Sequence, residues 1–75
     1  MYDDIPVGDF IKNKLKEQER SMAWLAKKVN LDSSNFYKKL KHNIIEIELL
    51  RRISKILKDN FFTHCADFIN DEISL

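Results

Sequence analysis

One glycine, one proline and one cysteine are all that 75 residues hold of the amino acids that break, kink or staple a chain. Gly8 and Pro6 both lie near the start, and downstream of them β-branched residues do not alternate with polar ones. Strands and hairpins are therefore not expected, and the chain reads as all-α. The single Cys65 excludes an internal disulfide and suits a reducing compartment. With His42 and His64 it falls short of the four clustered ligands of a structural zinc site, so no metal and no cofactor is expected. One glycine cannot build a phosphate-cradling loop. His64 and Cys65 are adjacent, about 100° apart on a helix, and cannot readily pair as base and nucleophile. No catalytic residue is expected, hence no enzyme. No apolar run approaches the roughly 20 residues of a membrane span, and the acidic start Met1-Tyr2-Asp3-Asp4 is unlike a signal peptide. The expectation is one small domain over residues 1–75, soluble, cytoplasmic and without a membrane partner.

What is present is apolar spacing. Val7, Phe10, Ile11 and Leu15 predict a first helix at about 7–18, and Leu49, Leu50, Ile53, Ile56 and Leu57 predict another at about 46–58, ended by Asp59-Asn60. Glu46 is a weak N-cap for it. Between these lies the most informative stretch, Ser21 to Leu40, which reads as two short helices and a tight hinge. Ser21 can cap the first, at about 21–29, because its hydroxyl accepts an orphan backbone N–H. Leu25, Ala26 and Val29 share one face, and the small Ala26 lets a second helix cross closely. Asn30 tolerates the left-handed conformation that ends a helix. Leu31 plugs the corner, and Asp32 caps the second helix, at about 33–42, whose apolar residues are Phe36 and Leu40. Asn43 is a left-handed stop for it. The sum, over 21–42, is a helix-turn-helix.

Net charge is only +1, yet all thirteen Lys and Arg residues lie between Lys12 and Lys58, against five acids there, leaving +8 on the centre and seven acids at the ends. A basic body with acidic ends is compatible with phosphate binding. On charge alone, lysines as solvated helix faces explain the pattern as well.

Leu25, Ala26, Val29, Asn30, Leu31 and Phe36, with the downstream run Glu48-Leu49-Leu50-Arg51-Arg52-Ile53-Ser54-Lys55-Ile56-Leu57, give residues 7–58 a resemblance to the lambda repressor/Cro-like helix-turn-helix family of bacterial regulators. Asn30 stands where that family usually has Gly, Lys39 where it has an apolar residue, and Met22 where many members carry a phosphate-touching Gln. The resemblance implies a five-helix, lambda-repressor-like domain that binds double-stranded DNA and regulates transcription, as a repressor. In such domains the start of the second motif helix enters the major groove. The residues implied for base contact are Ser33, Ser34, Tyr37 and Lys38, on or flanking the face opposite Phe36 and Leu40. Those implied for phosphate contact are Ser21 and Met22, at a helix N-terminus, and Lys41, His42 and Asn43 after the reading helix. The rival reading keeps the fold but binds a protein partner, as an adaptor or antitoxin-like module; the modest net charge and the short Ser-rich surface favour it slightly.

Two features remain outside the motif. Trp24 lies more than 100° from the centre of Leu25, Ala26 and Val29, so it needs a cover: the tail, a second subunit, or the stems of nearby lysines. The tail is unusually apolar. Thr63 predicts the cap of a fifth helix at about 63–73, with Phe62 as a staple and Ala66, Ile69 and Ile73 on one face. Phe61, Phe62, Phe68 and Ile69 either complete the core or form the seam of a homodimer.

Overall fold

The structure, a computed structural model, describes residues 4–74. Five helices follow one another: α1 (Val7–Glu17), α2 (Met22–Lys28), α3 (Ser33–Lys41), α4 (Ile47–Leu57) and α5 (Phe61–Ile73), with no strand among the described residues. None of the helices is long and apolar enough to cross a membrane.

One core joins them. Ile11, Leu25, Phe36, Ile53 and Phe61, one from each helix, are fully excluded from solvent, and Leu15, Val29, Leu40 and Leu57 close around them. α3 packs against both α1 and α2, while α5 packs against α1 and α4. The third helix is thus held from two sides, by α1 and α2, and keeps only its outward face.

Helix ends follow local chemistry. The Ser21 hydroxyl accepts from the Trp24 N–H at 3.0 Å, and the Asp32 carboxylate accepts from the N–H groups of Ser34 and Asn35 at 3.1 and 3.3 Å. Glu46 makes no side-chain cap. Each of the first four helices is followed by a residue with positive φ: Glu19, Asn30, Asn43 and Lys58. The N–H of the next residue then reaches back five residues, as from Leu31 to the Ala26 carbonyl at 2.9 Å and from Ile44 to that of Lys39 at 2.9 Å. This closure satisfies carbonyls that the helix end leaves orphaned.

Gly8 is where α1 meets the end of α3. Its N–H donates to Asn43 Oδ1 at 2.9 Å. A Cβ on residue 8 would lie 1.9 Å from the Leu40 carbonyl oxygen, so the approach requires glycine.

The tail departs from expectation. Asn60, not Thr63, is the cap: its side chain accepts from the Phe62 N–H at 3.0 Å, and the helix starts at Phe61. The Phe61 N–H donates to Ser54 Oγ of α4 at 3.2 Å, which fixes its ring in the core. Phe61 is therefore no seam residue. His64, Cys65 and Phe68, at three, four and seven residues beyond it, share its inward side and are half-buried. Phe62, Ala66, Ile69 and Ile73 point to solvent instead.

A polar clasp ties this helix to α1. A His64 ring nitrogen lies 2.9 and 3.0 Å from the two Asp59 oxygens, and Lys14 Nζ is 3.3 Å from the same carboxylate. The His64 hydrogen bond, and after it that of Lys14, holds the Asp59 carboxyl below its usual range, with partial burial opposing. The His64 ring also stands 5.9 Å from Phe10 and 5.7 Å from Phe61. It turns to Asp59, not to Cys65, whose thiol burial pushes upward.

Candidate nucleic-acid interface

The outward face of α3 is set by its inward one. Phe36 and Leu40 are fully buried. At 100° per residue the opposite side carries Ser34, Lys38 and Lys41, with Ser33 and Tyr37 on one flank and Asn35 on the other. All six side chains are exposed. Among the described residues neither Lys38 nor Lys41 is in an ion pair, whereas Lys39 is spent on Glu46, its Nζ 3.1 and 3.2 Å from the two carboxylate oxygens. Lys39 thus forms an ion pair that braces α3 against the start of α4, while the adjacent Leu40 is buried.

The Asp32 carboxylate accepts from the second and third N–H groups of α3, those of Ser34 and Asn35. With a carboxylate already seated on the helix end, contacts by this face fall chiefly to its side chains. Ser33 and Ser34 can donate or accept, Lys38 can donate to guanine, and Asn35 can pair in bidentate fashion with adenine. Asn35 is absent from the sequence-based set. Its signal is present in the chain all the same, since on the wheel residue 35 lies farther from the buried face than Ser33 or Tyr37.

Tyr37 has company that sequence did not suggest. Lys12 Nζ of α1 lies 5.9 Å from the centre of its ring, within cation–π range. Lys12, carried on α1, thus stands beside the Tyr37 flank of α3. No spacing in the chain encodes that meeting; it follows from the Gly8 contact.

The expected phosphate residues separate. Lys41 and His42 are exposed at the end of α3. Asn43 is half-buried, and its side-chain oxygen is engaged by Gly8, so it acts first as a structural tie. Ser21 is exposed with its hydroxyl already capping α2. The Met22 side chain leans on the core, leaving only backbone there for an anion.

Trp24 is covered by cations. The Arg20 guanidinium lies 4.6 Å and the Lys28 ammonium 5.7 Å from its ring, while one edge packs against the core. Of the three covers considered, neighbouring basic side chains supply it, Arg20 as well as a lysine.

Comparison of the chain with protein-family models, with curated proteins and with solved structures returns no match.

Proposed function

We propose that this protein is a small transcriptional regulator of lambda-repressor-like, helix-turn-helix architecture, which binds double-stranded DNA by laying α3 in the major groove. The observation that carries the reading is the division of α3: Phe36 and Leu40 are fully buried, while Ser34, Asn35, Lys38 and Lys41 project together with uncompensated positive charge. The short α2–α3 connection, turned at Asn30 and plugged by half-buried Leu31, supports it. Base edges would meet Ser33, Ser34, Asn35, Tyr37 and Lys38. Phosphates would meet Lys12, Lys41, His42 and the backbone at Ser21 and Met22. The action would be occupancy of a site, as a repressor. A single domain of this kind buries on the order of 600–1,000 Å², which limits its affinity.

Lys38→Ala is expected to leave the helical content unchanged and to weaken binding by about 1–3 kcal/mol on a duplex selected from random sequence. Equal affinities of parent and variant would remove Lys38 from the interface.

With about four to six phosphates neutralised, log K against log salt should slope at about −4 to −5. The rival is a protein-interaction module, adaptor or antitoxin-like. It draws on the exposed apolar residues at Ile44, Ile47, Phe62, Ile69 and Ile73. Binding to a protein with a salt slope near zero, and no selected duplex, would favour it.

A further inference from the structure

The outward side of α2 carries a tryptophan and three cations that the nucleic-acid reading leaves unused. Trp24 is half-buried, with the Arg20 guanidinium 4.6 Å and the Lys28 ammonium 5.7 Å from the centre of its ring. At 100° per residue, Trp24, Lys27 and Lys28 all stand more than 100° from the centre of Leu25, Ala26 and Val29, the buried side of the helix. Ala23, which shares this outward side, is exposed and small.

The positive charge here is uncompensated. α2 holds no acid, and Arg20, Lys27 and Lys28 are in no ion pair among the described residues. Glu19, the nearest acid along the chain, is exposed and pairs with none of them. Arg20 and Lys28 are also held in place by the ring, so they have less side-chain freedom left to lose on binding. Trp and Arg are the residue types most enriched among those that dominate the energy of protein interfaces.

We propose that Arg20, Trp24, Lys27 and Lys28 form a docking surface for an acidic segment of a protein partner, whose carboxylates meet the cations while an apolar side chain covers the exposed part of the indole. Two observations favour protein carboxylates over duplex phosphates. The duplex reading takes only the first turn of α2, at Ser21 and Met22, whereas Lys28 lies seven residues beyond Ser21, about 10 Å farther along the axis. A phosphate backbone also calls for charge alone, while the indole set among these cations adds apolar area that a protein side chain can bury. The surface lies outside the face of α3, so an acidic partner and a duplex can be held at the same time.

The test pans the full chain against a displayed library of random dodecapeptides and titrates the enriched peptides, made synthetically, in the absence of DNA. Trp24 is the only tryptophan of the chain, so its emission reports on this surface. Peptides rich in Asp and Glu, with at least one large apolar residue, should be enriched and should shift that emission. Arg20→Ser and Lys28→Glu, both at exposed positions, should each raise the dissociation constant about tenfold, with unchanged far-ultraviolet circular dichroism. Lys55→Glu makes the same change of charge on the exposed side of α4 and should alter it less than about twofold. A panning that enriches no acidic peptide overturns the inference. So do acidic peptides that leave Trp24 emission unchanged, or that lose as much affinity to Lys55→Glu as to Lys28→Glu. A duplex that displaces the peptide and shifts the emission itself assigns the surface to nucleic acid instead. Because the peptide titration contains no DNA, its failure and the failure of the nucleic-acid reading are told apart.

Discussion

Phe61→Ala is expected to destabilise the protein by about 3–5 kcal/mol, the cost of emptying a fully buried aromatic site. Phe61 is completely excluded from solvent, its N–H is bonded to Ser54 Oγ, and its ring stands against His64. A chain of this size has roughly 4–11 kcal/mol of stability in all, at about 0.05–0.15 kcal/mol per residue. The variant would therefore lose a large share of it. The neighbouring Phe62→Ala, at a side chain 38% exposed, should cost less than about 1 kcal/mol. Urea midpoints of the two variants give the comparison directly. If Phe62→Ala proves the costlier, α5 packs on the body by its other face.

The contrast between these adjacent phenylalanines shows where sequence is sufficient and where it is not. The apolar spacing of the first four helices, the caps at Ser21 and Asp32 and the left-handed turns at Asn30 and Asn43 are all legible, because each depends on residues within one turn. The equivalent turns at Glu19 and Lys58 are not. Neither side chain favours positive φ, and the conformation is imposed by where the next helix must pack, at a cost of about 1 kcal/mol or more each. The tail misleads for a related reason. Asn60 and Thr63 are both good caps, and starting the helix at Phe61 lets that ring fill the space between α1 and α4. Tertiary burial of a phenylalanine outweighs the difference between two caps, each worth about 1 kcal/mol.

The exposed face of α3 is legible by the same local rule, since burying Phe36 and Leu40 turns Ser34 and Lys38 outward. What sequence does not supply is which residues from elsewhere stand beside that face. Lys12 beneath Tyr37 and Asn43 bonded to Gly8 arise from the crossing of α1 and α3, and the Gly8–Asn43 bond joins residues 35 positions apart.

That crossing yields the last expected result. Gly→Ala in a helix ordinarily stabilises by about 0.5–1 kcal/mol. Gly8→Ala should do the reverse and cost about 3 kcal/mol, the upper end of overpacking. The new Cβ would fall 1.9 Å from the Leu40 carbonyl oxygen and 2.8 Å from its carbon. Both are backbone atoms of the last turn of α3, so no rotamer relieves the overlap. α1 must retreat, and the Gly8–Asn43 hydrogen bond goes with it. Two further variants separate the space from the bond. Asn43→Gly keeps the positive φ of 57° without strain and removes only the acceptor, for about 1 kcal/mol. Asn43→Ala adds the left-handed strain and should cost about 1 kcal/mol more. Chemical denaturation should therefore rank the losses as Gly8→Ala, then Asn43→Ala, then Asn43→Gly. Because the same retreat carries Lys12 away from Tyr37, Gly8→Ala should, on the function proposed, also weaken duplex binding under conditions where the variant is still fully folded. A Gly8→Ala protein as stable as the parent would mean that α1 does not lie against the end of α3, and the place of Lys12 beside Tyr37 would have to be redrawn.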